Sequence, residues 1–180
     1  NGGAGGFKSL LGSDQVKAFK KGLERILREY FESMDLGEAA AQLTALDEVC
    51  GGSKMAYFVK RAVTLSLDLH MRERELVALL LTGLTPVLLT SKDLLKGFRM
   101  LLEMAEDLTL DIPDAADQLA MFTARAVVDE ILSPAAVESL VETLMDPVGA
   151  QVAASAKSLT QARHSNERVL MAWGGGGAGT

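Results

Sequence analysis

Apolar residues recur at three- and four-residue steps through most of this chain, and this periodicity limits its fold more than any other feature. In the stretch 16–34, Phe19, Leu23 and Ile26 would share one face of a helix, while lysines and arginines occupy a solvated opposite face. The same spacing returns at 36–46, 53–69, 72–84, 91–105, 115–127 and 134–144. The sequence therefore predicts about seven amphipathic helices and no sheet of consequence.

Short breaks that carry capping residues or proline separate these stretches. The candidate N-caps are Asp35, Ser53, Thr90 or Ser91, Asp114 and Ser133. The run 86–89 could be a short buried strand, but it lacks a pairing partner and is better interpreted as a connection. Short connections force amphipathic neighbours to pack antiparallel, which predicts an all-α stack of helix hairpins, either a compact bundle or a solenoid-like unit.

The length of 180 residues suits one domain with tails. We expect a flexible glycine-rich lead-in at 1–14, a helical domain at 15–146, and a C-terminal helical extension with a glycine-rich linker at 147–180. The compact part should end at Pro147, and Gly2 to Gly6 and Gly174 to Thr180 should be mobile unless neighbours pack on them. The first residue is not methionine and both ends are rich in glycine, so we expect a piece of a longer polypeptide.

Charge and hydropathy exclude several classes of function. The net charge of −6 disfavours non-specific binding to nucleic acids or anionic membranes and favours a basic partner surface. The most apolar stretch, 76–89, is interrupted by Thr82, Gly83, Thr85 and Pro86, so it does not predict a membrane span. Cys50 is the single cysteine, which rules out an internal disulfide and favours a reducing compartment.

Residues with catalytic chemistry are few and scattered. Cys50 is best interpreted as a small packing residue, and His70 and His164 as surface or helix-end residues, because neither has neighbours at metal-ligand spacing. The segment Gly51-Gly52-Ser53-Lys54 lacks the residue order of a phosphate-binding loop and no strand precedes it. We therefore expect no enzyme, no cofactor and no metal site.

The segment Asp107-Leu108-Thr109-Leu110-Asp111-Ile112-Pro113 is an acidic turn between two predicted helices. If the upstream helix persists to Asp111, the i,i+4 spacing places both carboxylates on one face. Two interpretations compete: Asp111 or Asp114 simply caps the next helix, or Asp107 and Asp111 contact a partner. A general acid and base pair is disfavoured, because no apolar pocket would separate the two pKa values.

Several segments, in this order, resemble the MA-3 domain family, the helical module of programmed cell death protein 4. They are Glu29-Tyr30-Phe31, Asp35-Leu36-Gly37-Glu38-Ala39, Lys60-Arg61-Ala62-Val63-Thr64-Leu65, Gly97-Phe98, the acidic turn, and Ala124-Arg125-Ala126-Val127-Val128-Asp129. The resemblance covers roughly 16–144. The tail from Ala162 to Gly176 is more specifically similar to the segment that follows each repeat in plant-type multi-repeat members, the translation regulatory factors.

The resemblance implies a HEAT-like stack of helix pairs that binds the DEAD-box helicase initiation factor 4A. It places the partner contacts on Asp107, Asp111 and Pro113; some members carry glutamate in place of Asp107. Binding would keep the two helicase lobes out of their closed arrangement on RNA and so modulate, in the inhibitory direction, cap-dependent translation. It further implies a cytoplasmic and also nuclear protein whose monomeric module sits among sister repeats.

Two alternatives stay open on the sequence alone. The chain could be a helical scaffold for another protein of translation or RNA metabolism, with the acidic turn serving only as structure. The chain could also be a catalytic or metal-binding protein, although the scarcity of histidine and cysteine disfavours this hypothesis.

Overall fold

The computed structural model describes residues 3–175, with side chains from residue 14 onward, and this part of the chain is helical without strands. The helices are α1 (Gly3–Ser33), α2 (Leu36–Val49), α3 (Met55–Leu67), α4 (Met71–Leu84), α5 (Ser91–Leu102), α6 (Ala105–Asp111), α7 (Ala115–Val128), α8 (Pro134–Thr143), α9 (Pro147–Gln161) and α10 (Ser165–Met171). The predicted all-α, HEAT-like class is confirmed.

The chain divides into two compact units, and the first ends at Lys54. In this unit α1 packs against α2. Phe19, Leu23 and Leu43 are fully buried. A Cβ atom added at Gly22 would lie 2.7 Å from Cδ1 of Leu46, so the Leu46 side chain packs directly on the α1 backbone at this glycine.

The second unit begins at Met55 and contains α3 to α10. Its most extensive packing is between α3 and α5, between α7 and α9, and between α8 and α9. Phe58, Phe98 and Phe122 are its largest fully buried side chains. Because only a few residues connect α8 to α9 and the two helices pack together, this pair is antiparallel.

An ion-paired arginine links α4 to α7 inside this unit. Arg125 donates from Nη1 and Nη2 to the two carboxylate oxygens of Glu75, at 2.7 and 3.0 Å, and from Nε to Asp129 at 2.8 Å. Burial alone would lower the pKa of Arg125, but these hydrogen bonds and charges outweigh it and raise that pKa. The segment 124–129 thus serves the packing of the unit.

Three of the predicted caps are confirmed. The side chains of Asp35, Thr90 and Ser133 accept from the backbone amides three residues later, at 2.9, 3.1 and 3.0 Å. Ser53 is not a cap, because its φ is 62° and α3 begins two residues later, at Met55. The run 86–89 is a connection without strand, as predicted.

The N-terminal segment differs from expectation. Helix α1 begins at Gly3, whereas the sequence predicts regular structure only after Asp14. No proline lies between these positions, so nothing stops the helix, although glycine is a weak helix former. Gly2 and the residues 176–180 lie outside the described part, and the mobility of both ends stays a prediction.

The C-terminal segment corrects the prediction that the compact part ends at Pro147. Helix α9 packs on α7 and α8, and α10 packs on α7 and α9. Ala153, Ala156 and Val169 are buried there. The sequence pattern is weak because three of the four buried residues of α9 are glycine or alanine, and small side chains let helices approach closely. Within 3–175, none of the helices has both the length and the apolar character needed to cross a membrane.

Candidate functional site

The acidic turn is itself a short helix and is not a continuation of the fifth helix. Helix α5 ends at Leu102, and α6 runs from Ala105 to Asp111. Both Asp107 and Asp111 lie in α6, so the same-face relation expected from their spacing holds. Helix α6 is one of three helices beyond the seven predicted stretches, and α9 and α10, in the predicted C-terminal extension, are the other two.

The end of α6 follows from the proline beyond it. Ile112 is extended, with φ −123° and ψ 102°, as expected for a residue before proline. Its backbone amide still donates to the carbonyl of Leu108 at 2.9 Å. At its other end, α6 is anchored by the fully buried Ala105, and it packs on α7 and α9.

All three residues expected at the site lie on the surface. Asp107, Asp111 and Pro113 are exposed. Neither carboxylate forms a hydrogen bond or ion pair with another of the described residues. The two acids are therefore available to an external cation.

The capping interpretation of the acidic turn is not supported. Asp111 is the last residue of α6, and Asp114 occupies the N-cap position of α7 without a side-chain bond to its backbone. The Asp114 carboxylate instead accepts from Nε2 of Gln118 at 3.1 Å. Neither acid satisfies an amide at the start of α7.

The surroundings of α6 are acidic over a long stretch. Between Arg99 and Arg125 the chain has no lysine, arginine or histidine, yet it has six acidic residues. Those residues are Glu103, Glu106, Asp107, Asp111, Asp114 and Asp117. This stretch has no basic residue to compensate these charges, a composition that favours a basic partner.

The structure adds Leu110, a residue that the sequence analysis passed over. Leu110 lies between the two acids on α6, and 79% of its surface is exposed. The sequence spacing could have predicted its position, because a residue three positions after Asp107 faces the same side of a helix. We call Asp107, Leu110, Asp111 and Pro113 the acidic surface.

The other residues that were considered for catalysis or metal binding have structural positions. His70 and His164 are exposed and occupy the N-cap positions of α4 and α10, which confirms their interpretation as helix-end residues. Cys50 is buried at the end of α2. Nζ of Lys54 donates to the backbone carbonyls of Cys50 and Gly52, so this loop uses its lysine internally. Among the side chains described, no cluster of three or more histidine, cysteine or acidic residues could hold a metal.

The comparison with known families decides what kind of domain this is. The family model described as the MA3 domain matches residues 19–133, more than half of the chain. The chain belongs to the MA3 domain family. The match includes the whole of α6 and the acidic surface.

Relatives of known name extend this result. MA3 domain-containing translation regulatory factor 1 of Arabidopsis thaliana is 41% identical over 164 residues, which cover 90% of this chain and 23% of that protein. Factor 4 of the same plant is 39% identical over 92% of this chain and 26% of its own length. Programmed cell death protein 4 of Homo sapiens is 35% identical over 89% of this chain and 34% of its length. The chain thus spans about a quarter of the plant relatives.

Proposed function

We propose that this MA3 domain regulates translation by binding the DEAD-box helicase initiation factor 4A through the acidic surface of α6. The observation that carries the proposal is the pair Asp107 and Asp111, whose exposed carboxylates have no partner among the described residues. The names of the plant relatives, translation regulatory factors, support a role in translation. The helicase follows from the likeness of segment 107–113 to the family's contact turn.

Electrostatic complementarity is the physical reason for this choice of partner. A helicase that grips RNA phosphates must carry basic side chains, and an acidic helix without counter-ions is attracted to such a surface. Leu110 adds an exposed apolar contact between the two charges. The domain would need no chemistry of its own, because occupying the helicase is enough to keep its lobes from closing on RNA.

The same reasoning sets the wider context of the proposal. Since the chain spans only 23% and 26% of two plant relatives, we propose that it acts as one monomeric module within a longer protein. Translation initiation places that protein in the cytoplasm, with the nucleus as a second location.

Charge removal at the acidic surface tests the proposal. Asp107→Ala with Asp111→Ala should weaken binding to purified initiation factor 4A by about 2 kcal/mol or more, roughly thirtyfold, in a calorimetric titration. The matched control is Glu48→Ala with Glu167→Ala, which removes two exposed charges from α2 and α10.

The control variant should bind like the wild type. Equal affinities of wild type and the Asp107/Asp111 double variant would refute the assigned surface. If purified helicase does not bind at all, while a protein captured from extract is lost on the double change, the partner is a different protein of the translation machinery.

A further inference from the structure

Helix α6 lacks a cap of its own. The residue at its N-cap position is Met104, whose side chain forms no capping hydrogen bond. A helix of seven residues is too short to be stable without outside support, and its first amides need acceptors. The support for α6 therefore has to come from elsewhere in the chain.

A carboxylate from the α8–α9 turn supplies this acceptor. The backbone amide of Glu106, in the first turn of α6, donates to Oδ2 of Asp146 at 3.1 Å. Asp146 is also the N-cap residue of α9, and its Oδ1 accepts from the backbone amide of Gly149 at 2.9 Å. One side chain thus caps both α9 and α6, and the Glu106 amide that it binds lies 40 residues before it in sequence.

A second carboxylate returns the contact from the other side. Glu103 follows α5, and its Oε1 and Oε2 accept from the backbone amides of Met145 and Asp146 at 2.9 and 3.1 Å. The residue that links α5 to α6 therefore binds the turn that caps α6. We call Glu103 and Asp146 the carboxylate clasp.

The backbone behind the clasp is tightly packed. A Cβ atom added at Gly149 would lie 2.0 Å from the carbonyl oxygen of Leu102, so the first turn of α9 lies directly against the end of α5. This close approach sets the distance between the Glu103 carboxylate and the Asp146 backbone amide that donates to it. The clasp therefore spans a closely packed junction.

We propose that Glu103 and Asp146 are positioning residues for the acidic surface. Asp107 directly follows Glu106, so the bond from Glu106 to Asp146 sets the start of α6 and the direction of the turn that carries Asp107. Asp111 lies one turn further on the same helix. The clasp pre-orders both carboxylates for a basic partner, and neither clasp residue has to touch that partner. This inference rests on the proposed function of the acidic surface.

Asp146→Ser separates the two arms of the clasp. Serine is as good an N-cap as aspartate and retains one acceptor for Gly149, so α9 should stay capped and the domain folded. The serine side chain is shorter and has a single oxygen, so it cannot also accept from the backbone amide of Glu106. Glu103→Gln is the second variant, because it replaces one of the two acceptor oxygens by a donor.

Two measurements report on the clasp. Hydrogen exchange at the Glu106 amide should accelerate in Asp146→Ser, while exchange at Gly149 stays near wild type. Affinity for initiation factor 4A should fall about fivefold, the effect of one lost helix cap. In a background of Asp107→Ala with Asp111→Ala, Asp146→Ser should cause no further loss, because it acts only through these acids.

Ser133→Ala is the matched control, since it removes the cap of α8 without a link to α6. It should change neither the Glu106 exchange rate nor the affinity. Unchanged exchange or unchanged affinity in Asp146→Ser, with the Asp107/Asp111 variant defective, would overturn the clasp and leave the proposed function standing. Normal binding by the Asp107/Asp111 variant would instead refute the proposed function, while the exchange rates still report on the hold of Asp146 on α6.

Discussion

At the scale of single residues, Asp111 stands where a carboxylate does not help its own helix. The carboxyl end of a helix carries partial negative charge, so an acid in the last turn is repelled by the unpaired carbonyls. Asp111 is the final residue of α6 and has no cationic partner among the described residues. A charge in this position gains nothing from folding, which fits a role in binding.

This position leads to a prediction about Asp111→Ala. Removing the charge should leave the free energy of unfolding unchanged or raise it by up to about 1 kcal/mol, because the repulsion at the helix end disappears. A thermal melt measures the change, and a titration with initiation factor 4A on the same sample should show weaker binding.

Asp35→Ala provides the contrast, since Asp35 does cap α2. That change should lower stability by about 1 kcal/mol. A lowered melting temperature with unchanged binding in Asp111→Ala would mean that Asp111 stabilises the fold and is not a partner contact.

At the scale of helices, sequence periodicity predicted those that carry large apolar residues. The stretches 72–84 and 115–127 match α4 and α7 within one residue at each end. The break between α5 and α6 was missed because bonds to Met145 and Asp146, 42 and 43 residues beyond Glu103, help define it. The spacing of apolar residues within one stretch cannot predict hydrogen bonds to residues so far along the chain.

The helices after Pro147 were underestimated for a related reason. Their contact with α7 includes small side chains such as Ala156 and a single aromatic residue far along the chain. Trp173 is 5% exposed, its ring centre lies 4.3 Å from that of Phe122, and its Nε1 donates to Gln118 at 3.0 Å. Gly175 packs against Glu75, because a Cβ atom added at this glycine would lie 2.0 Å from Oε1 of Glu75.

We therefore predict that Trp173→Ala destabilises the second unit. Loss of a buried aromatic side chain should lower the free energy of unfolding by about 3–5 kcal/mol in a denaturant titration. Met171→Ala, at an exposed position two residues earlier, should change it by less than about 0.5 kcal/mol. Similar small effects for both variants would show that Trp173 does not anchor the tail to the second unit.

At the scale of the whole molecule, the sequence predicted the helical class and the acidic segment but not the division of the chain. The glycines at 51–52 lie between two predicted helices, and the contacts of the chain place them near the end of the first compact unit. The same-face relation of Asp107 and Asp111 was predictable because their spacing lies within one short helix. The clasp behind it was not, because it joins distant parts of the chain.

The net charge of −6 raises the question of whether a basic partner responds to the whole molecule or to α6. Both double variants above remove two negative charges and bring the net charge from −6 to −4, so they are equal in total charge. Charges on the surface act over about 10 Å at 0.1 M salt. A local surface should therefore dominate the encounter with a partner at that ionic strength.

We predict that the association rate with initiation factor 4A falls steeply between low and physiological salt for the wild type. Asp107→Ala with Asp111→Ala should lose most of that salt dependence, because the steering charges face the partner. Glu48→Ala with Glu167→Ala should retain it, since these charges lie outside the acidic surface. Stopped-flow association rates at several salt concentrations measure the slopes. Equal slopes for the two double variants would mean that total charge, and not the acidic surface of α6, guides the encounter.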